Sequence, residues 1–227
     1  MEFLELLQTG RPVLLDGGMG TMLQAKGLPV GATPELTALE HPEWLLDIHR
    51  AYVEAGAQIL YANTFGANRE KLSHCGKTVE EIVPAAVALA KEAAQGRALV
   101  ALDIGPTGQL LEPTGILDFE TAVDIFAQVV KAGAAAGADL IVIETMTDLQ
   151  EARAALLAAK ENSSLPVLVT MTYEATGRTF LGCSPAAAAL TLEGMGADAI
   201  GVNCSLGPRE MPPWWRNCCS GPPCPSC

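Results

Sequence analysis

Aromatic residues are scarce in this 227-residue chain, at 5%, and charged residues make up only 18%. The deficit falls on the basic side: 14 Lys and Arg face 26 Asp and Glu, for a formal net charge of −12. No basic run of five or more occurs, which argues against a nucleic-acid phosphate backbone as partner. No apolar run approaches the ~18 residues that a membrane-spanning helix needs. The opening Met1-Glu2-Phe3-Leu4-Glu5 is acidic, unlike the basic flank of a secretory signal. Cysteine is sparse up to residue 207, with only Cys75, Cys183 and Cys204, as suits a reducing, cytoplasmic setting. Familiar phosphate and nucleophile signatures are missing as well. There is no Walker sequence and no G-x-S-x-G. Gly18-Met19-Gly20 starts a dinucleotide fingerprint, but Leu23 stands where the third glycine belongs.

The last twenty residues differ from the rest. They hold six of the 15 prolines, two of the 3 tryptophans and four of the 7 cysteines: Cys218, Cys219, Cys224 and Cys227. The chain therefore divides into a coherent body, residues 1–208, and an aberrant Pro/Cys/Trp-rich tail, 209–227, expected to lie outside the fold. Cys224-Pro225-Ser226-Cys227 is a C-x-x-C, but a proline-rich terminus without a second clean pair is a poor metal site.

In the body, 49% apolar composition resolves into short runs alternating with amphipathic stretches. Runs ending near residues 16, 62, 103, 144, 172 and 203 are apolar on both faces, as strands of a covered parallel sheet must be. Between them, Trp44, Leu45, Ile48, Tyr52 and Ala55 mark one helical face, and Ala122, Phe126, Val129, Val130 and Gly133 another. His41-Pro42 and Ser184-Pro185 place proline at a first helical position. Thr78 with Glu81, and Asp148 with Glu151, read as capping boxes, and Pro84 predicts that the helix after Thr78 kinks or begins late. Six βα units fit either a doubly wound sheet or an incomplete (β/α)8 barrel.

The strand ends carry the chemistry: Asp16, Asn63-Thr64, Asp103, Glu144, Thr172 and Asn203-Cys204. Carboxyl ends of parallel strands form the functional face of such folds. Asp103 and Thr172 read equally well as caps of the following helices. Asp16 precedes flexible Gly17-Gly18, whose amides suit a carboxylate while Asp16 suits an ammonium, together a zwitterionic amino acid. Glu144 ends four apolar residues and needs a cation or donors. Cys204 could be a nucleophile, a metal ligand or a packed small hydrophobe. The histidines His41, His49 and His74 fall in or beside helices, so a metal ligand is the better functional reading, with at least two further ligands required.

Five ordered segments carry a resemblance: Leu14-Leu15-Asp16-Gly17-Gly18-Met19-Gly20-Thr21, Asn63-Thr64-Phe65-Gly66-Ala67-Asn68, Asp103-Ile104-Gly105-Pro106-Thr107-Gly108, Ile143-Glu144-Thr145-Met146 and Gly201-Val202-Asn203-Cys204-Ser205. Together they resemble the zinc-dependent homocysteine S-methyltransferases, above all the homocysteine-binding module of cobalamin-dependent methionine synthases. The resemblance implies a (β/α)8 TIM-type barrel, here about six units with the last strands missing. It implies zinc bound by three cysteines, with Cys204 the first ligand, and Asp16, Gly17, Thr64 and Glu144 holding the amino acid. It further implies methylcobalamin as methyl donor on a separate module, and cobalamin- and folate-binding modules as partners. Betaine and S-methylmethionine serve as donors elsewhere in the family. The family's second and third ligands form a glycine-flanked cysteine pair on the last strand. Cys218-Cys219 is adjacent but follows Cys204 with no strand or helix between, and does not match that motif. A non-catalytic amino-acid-binding module is the alternative reading, and six strands in an eight-strand design predict open edges and self-association.

Overall fold

The computed structural model describes residues 2–207. Everything expected of the tail, including Cys218, Cys219, Cys224 and Cys227, lies outside the described residues. The chain opens with α1 (Phe3–Gln8) and α2 (Met19–Lys26), then a 3-10 turn at Pro34–Leu36, α3 (Thr37–Glu40) and α4 (Pro42–Glu54). Strands and helices then alternate: β1 (Ile59–Tyr61), α5 (Arg69–Leu72), α6 (Val79–Ala94), β2 (Leu99–Ile104), α7 (Phe119–Ala135), β3 (Leu140–Met146), α8 (Leu149–Asn162), β4 (Val167–Met171), α9 (Pro185–Gly194) and β5 (Ala199–Val202).

The five strands form one parallel sheet in the order β1-β2-β3-β4-β5. A doubly wound sheet reverses its strand order at a switch point; this one never does. The two faces also differ. Leu60, Leu102, Ile104, Ile141, Ile143, Val167 and Val169 pack with Ile82, Val87, Phe126, Val130, Ala155, Leu156 and Leu192 from α6 to α9. The alternate residues Ile59, Ala101, Leu140, Val142 and Ala199 form a separate cluster whose only buried helical member is Phe3 of α1. Helices on one face and sequential strands are the winding of a barrel, and the sheet is an open arc of one.

Local signals explain most element starts. Thr78 and Glu81 form the expected capping box, Ser184 caps α9 through the Ala187 amide, and Pro42 opens α4. Of the two outcomes expected of Pro84, the late start does not occur: α6 starts at Val79 and runs through Pro84, whose missing N–H leaves the Glu80 carbonyl without its helical donor. Three expectations fail. Asp148 caps α8 through the Gln150 amide, but Glu151 does not close the box, because it accepts from the Thr107 amide and hydroxyl at 2.7 and 2.6 Å. The predicted first strand, Pro12–Asp16, contributes only a single parallel bridge, Leu15 to Ile59. It lies at the sheet's outer edge with a partner on one side only, and Leu14 and Leu15 stay 55% and 43% exposed. Ala55, expected on the buried face of α4, is exposed at its C-terminus.

One device recurs where strands begin. Gln58, Asp139 and Asp198 each donate a backbone N–H to the preceding strand's first turn of ladder, at Leu14, Val100 and Val167. Each side chain then accepts the N–H of that same residue, at 3.2, 2.7 and 2.8 Å. Such two-point clamps fix the register of neighbouring strands. Among the described residues no helix is long and apolar enough to cross a membrane.

Candidate functional site

The site lies at the carboxyl ends of the strands and is positioned by side-chain alternation. Tyr61, Ala101 and Val142 belong to the inner face or pack against it. Period-two alternation along β2 then carries Asp103 to the same face, one layer higher. Asp16 joins them because its Oδ2 accepts the Tyr61 amide at 2.9 Å. Glu144 owes its place to an irregularity. Between Ile143 and Met146, β3 slips register against β4, and the bulge re-aims Glu144 and Thr145. Thr145 has φ of 59° and Cys204 φ of 46°. A β-branched residue in the left-handed region is strained, and such strain concentrates at functional sites.

Asn203 ties these parts together. Its Oδ1 accepts from the Thr145 amide and the Thr170 hydroxyl, each at 3.0 Å. Its Nδ2 approaches Glu144 Oε2 at 3.2 Å, Thr145 Oγ1 at 2.8 Å and Cys204 Sγ at 3.7 Å. The Thr145 hydroxyl also reaches Cys204 Sγ at 3.7 Å. Asp16, Glu144 and Cys204 thus share one end of the sheet, with the thiol exposed.

Electrostatics report the same convergence. Burial, helped by Glu144, pushes the Asp16 carboxyl up to about 7. Asp103 rises well above the usual carboxylate range through burial and the neighbouring Glu144, Asp16 and Glu35. Glu144 rises through burial, which Asn203 opposes by hydrogen bonding. The Tyr61 hydroxyl is raised by burial and then by Asp103, Glu144 and Asp16, the same three groups. Lys71 is held below its ordinary value by desolvation, against the pull of Glu35, Glu151 and Asp103. Its ammonium lies 5.0 Å from the Phe65 ring centre.

A Cβ at Gly17 would meet the Tyr52 hydroxyl at 2.9 Å, so any larger residue there must displace that side chain. Tyr52 pins the loop by donating to the Gly18 carbonyl at 3.0 Å. Among the described residues the Gly17 and Gly18 amides donate to nothing. Thr64 lies one step below the surface. Its hydroxyl donates to the Asp103 carbonyl at 2.8 Å and accepts the Asp103 amide at 3.1 Å, so it is engaged in clamping Asp103. Thr172 donates to the Asn203 carbonyl at 3.2 Å and links β4 to β5. Asn203 belongs to the strand-end segment Gly201–Ser205, but nothing in that segment showed that it would join β3 to β5; Tyr61, Glu35 and Lys71 carry no motif of their own.

A zinc ion finds a single thiol here. Among the described residues no group of three His, Cys, Asp or Glu side chains could hold a metal. The described residues therefore do not fit a resident zinc by themselves.

A parallel sheet wound in one direction, with carboxylates and a thiol gathered at its carboxyl ends, is the frame of a barrel-type enzyme domain. The homocysteine S-methyltransferase model matches residues 13–225, and the chain belongs to that family. Methionine synthase of Mycobacterium tuberculosis is 31% identical over 220 residues, covering 88% of this chain and 18% of that protein. Betaine–homocysteine S-methyltransferase 1 of Danio rerio is 32% identical over 216 residues, covering 90% of this chain and 52% of that protein. The chain therefore spans from under a fifth to about half of these relatives. The metallated homocysteine methyltransferase MmuM of Escherichia coli superposes with a TM-score of 0.79 at 23% identity, over 88% of this chain and 77% of that one. That likeness establishes the shared fold.

Proposed function

We propose that this chain binds homocysteine and presents its sulfur for methylation to methionine, as the homocysteine-binding domain of a methionine synthase. The observation that carries the reading is the meeting of Asp16, Glu144 and Cys204 at one end of the sheet, linked through Asn203. Asp16 and Glu144 take the ammonium. The unengaged amides of Gly17 and Gly18, beside the start of α2, take the carboxylate. Thr64 acts by fixing Asp103 and the β1–β2 pairing. This leaves the substrate sulfur directed toward Cys204.

Cys204 is the first of the zinc ligands in this reading, the others coming from outside the described residues. A zinc held there would supply the Lewis acidity to ionise a thiol that, titrating near ~8.5 when free, is mostly protonated at neutral pH. The methyl donor is methylcobalamin carried by a separate module, with a folate-binding module as further partner. A betaine or S-methylmethionine donor is the alternative within the family. The chain alone is proposed to be inactive, since the sheet formed by the described residues is open.

Equilibrium dialysis of the protein with zinc and homocysteine tests this. Saturable homocysteine binding that zinc strengthens, and that Cys204→Ser reduces, supports it. A second reading, a metal-free amino-acid-binding module, is favoured by Cys204 being the lone thiol of the site among the described residues. It predicts full homocysteine affinity in Cys204→Ser and no effect of zinc.

A further inference from the structure

We propose that Asp103 is a third ligand-binding carboxylate of this site, so that Asp16, Asp103 and Glu144 each offer one oxygen to the three N–H donors of the substrate ammonium. The inference rests on the homocysteine reading above and deepens it.

An ammonium carries three donors and no acceptor, so it is fully satisfied only by three acceptors. Asp16 and Glu144 each have one oxygen engaged, Oδ2 by the Tyr61 amide and Oε2 by Asn203. Among the described residues Asp16 Oδ1 and Glu144 Oε1 have no partner, which leaves two acceptors. Asp103 supplies the third. It is only 7% exposed, yet its Oδ1 is buried without a hydrogen-bond partner among the described residues. A buried orphan acceptor of this kind calls for an explanation. Strand alternation directs Asp103 to the inner face that carries Glu144 and Tyr61. Its backbone is held on both sides by the Thr64 hydroxyl, at 2.8 and 3.1 Å. That double clamp fixes where the carboxyl points.

The charged groups around Asp103 are Glu144, Asp16 and Glu35, which repel its charge, and Lys71, whose opposing influence is the smallest. The buried Tyr61 ring completes the surroundings. No basic residue forms an ion pair with any of the three carboxylates among the described residues, whereas Lys91 and Lys160 do so with other acids. The three carboxylates also do not close up into a group able to hold a metal ion. A carboxyl that keeps its proton still offers an acceptor oxygen.

Calorimetric titration of the whole protein with homocysteine and with 4-mercaptobutanoate, which lacks only the amino group, tests the assignment. Asp103→Leu keeps the volume and removes the acceptor. It should weaken homocysteine binding roughly 10- to 100-fold and leave 4-mercaptobutanoate unchanged. Asp103→Asn, which retains a neutral acceptor, should fall between Asp103→Leu and the wild type and carries the test if Asp103→Leu melts far below it. Equal affinity of wild type and variants for homocysteine, or equal loss for both ligands, overturns the role of Asp103 while leaving the homocysteine reading intact. A wild-type protein that binds no homocysteine overturns both.

Discussion

The two ends of the same strands treat carboxylates in opposite ways. At the amino ends, Asp139 accepts the Val100 amide at 2.7 Å and pairs with Lys91 at 2.6 Å. Asp198 repeats the pattern with the Val167 amide at 2.8 Å and Lys160 at 2.7 Å. Both of these acids have a backbone and a lysine partner. At the carboxyl ends, Asp16 and Glu144 are half-buried and Asp103 is buried, none has an ion-pair partner among the described residues, and each is raised above its ordinary value. Satisfied acids hold strands in register; unsatisfied ones await a ligand. The same division holds in barrels generally, where one face carries stability and the other chemistry.

The largest effect expected concerns pH, and a third region must first be removed to see it. His49 is fully buried in α4, with neither ring nitrogen hydrogen-bonded among the described residues, and burial lowers it from 6.5 to about 4. The unfolded chain binds the proton first. The His49 contribution is therefore present above pH 6.5 and is lost as pH falls to about 4, a difference of about 3 kcal/mol. Urea melts should show His49→Leu gaining that amount over wild type across this window. The top end runs the other way. Asp16 is raised from 3.8 to about 7, so its contribution is full below 3.8 and fades as pH rises through 7. In the His49→Leu background, stability should rise on acidification from pH 7 toward 4. A fall would break the contrast between the ends.

Next comes Asp198→Ala, which strips the Val167 amide of its side-chain acceptor and Lys160 of its partner. A loss of about 2 kcal/mol is expected in urea melts, with homocysteine affinity unchanged. Asn203→Ala should do the reverse in kind. It releases Glu144 and Thr145, and homocysteine binding should weaken about tenfold in a calorimetric titration, on top of a melt loss of about 1 kcal/mol from the Thr145 amide and Thr170 hydroxyl left without their acceptor. The smallest effect is Lys160→Met, under about 1 kcal/mol, because the pair it breaks is one-quarter to one-third exposed. A loss as large as that of Asp198→Ala would assign the clamp to the ion pair and not to the backbone hydrogen bond.

Much of this was legible in the residues, for stated reasons. Strands covered on both faces read as unbroken apolar runs, and β2 to β5 ended where those runs ended. Asp16, Glu144 and Cys204 stood out because polar groups closing apolar runs are costly without a purpose. What stayed hidden depended on contacts distant in sequence. The first run looked like its successors, yet with a neighbour on one side only it makes a single bridge. Glu151 had the spacing of a capping box, and Thr107, from another loop, claimed it. Thr64 looked like a ligand-facing hydroxyl and is turned to the Asp103 backbone. The bulge that aims Glu144 and the gathering role of Asn203 arise only once β3, β4 and β5 lie side by side. Strand order, which separates a barrel from a doubly wound sheet, is not written in any single run.

The account turns on the acidic end being a receptor for an amino acid. Titrating homocysteine into the wild-type protein and into Asp16→Asn at pH 7.5 measures that directly. Saturable binding by wild type that weakens roughly 10- to 100-fold in Asp16→Asn, with no loss of melting temperature, is the predicted result. Identical affinities, or no binding to the wild-type protein, would contradict it.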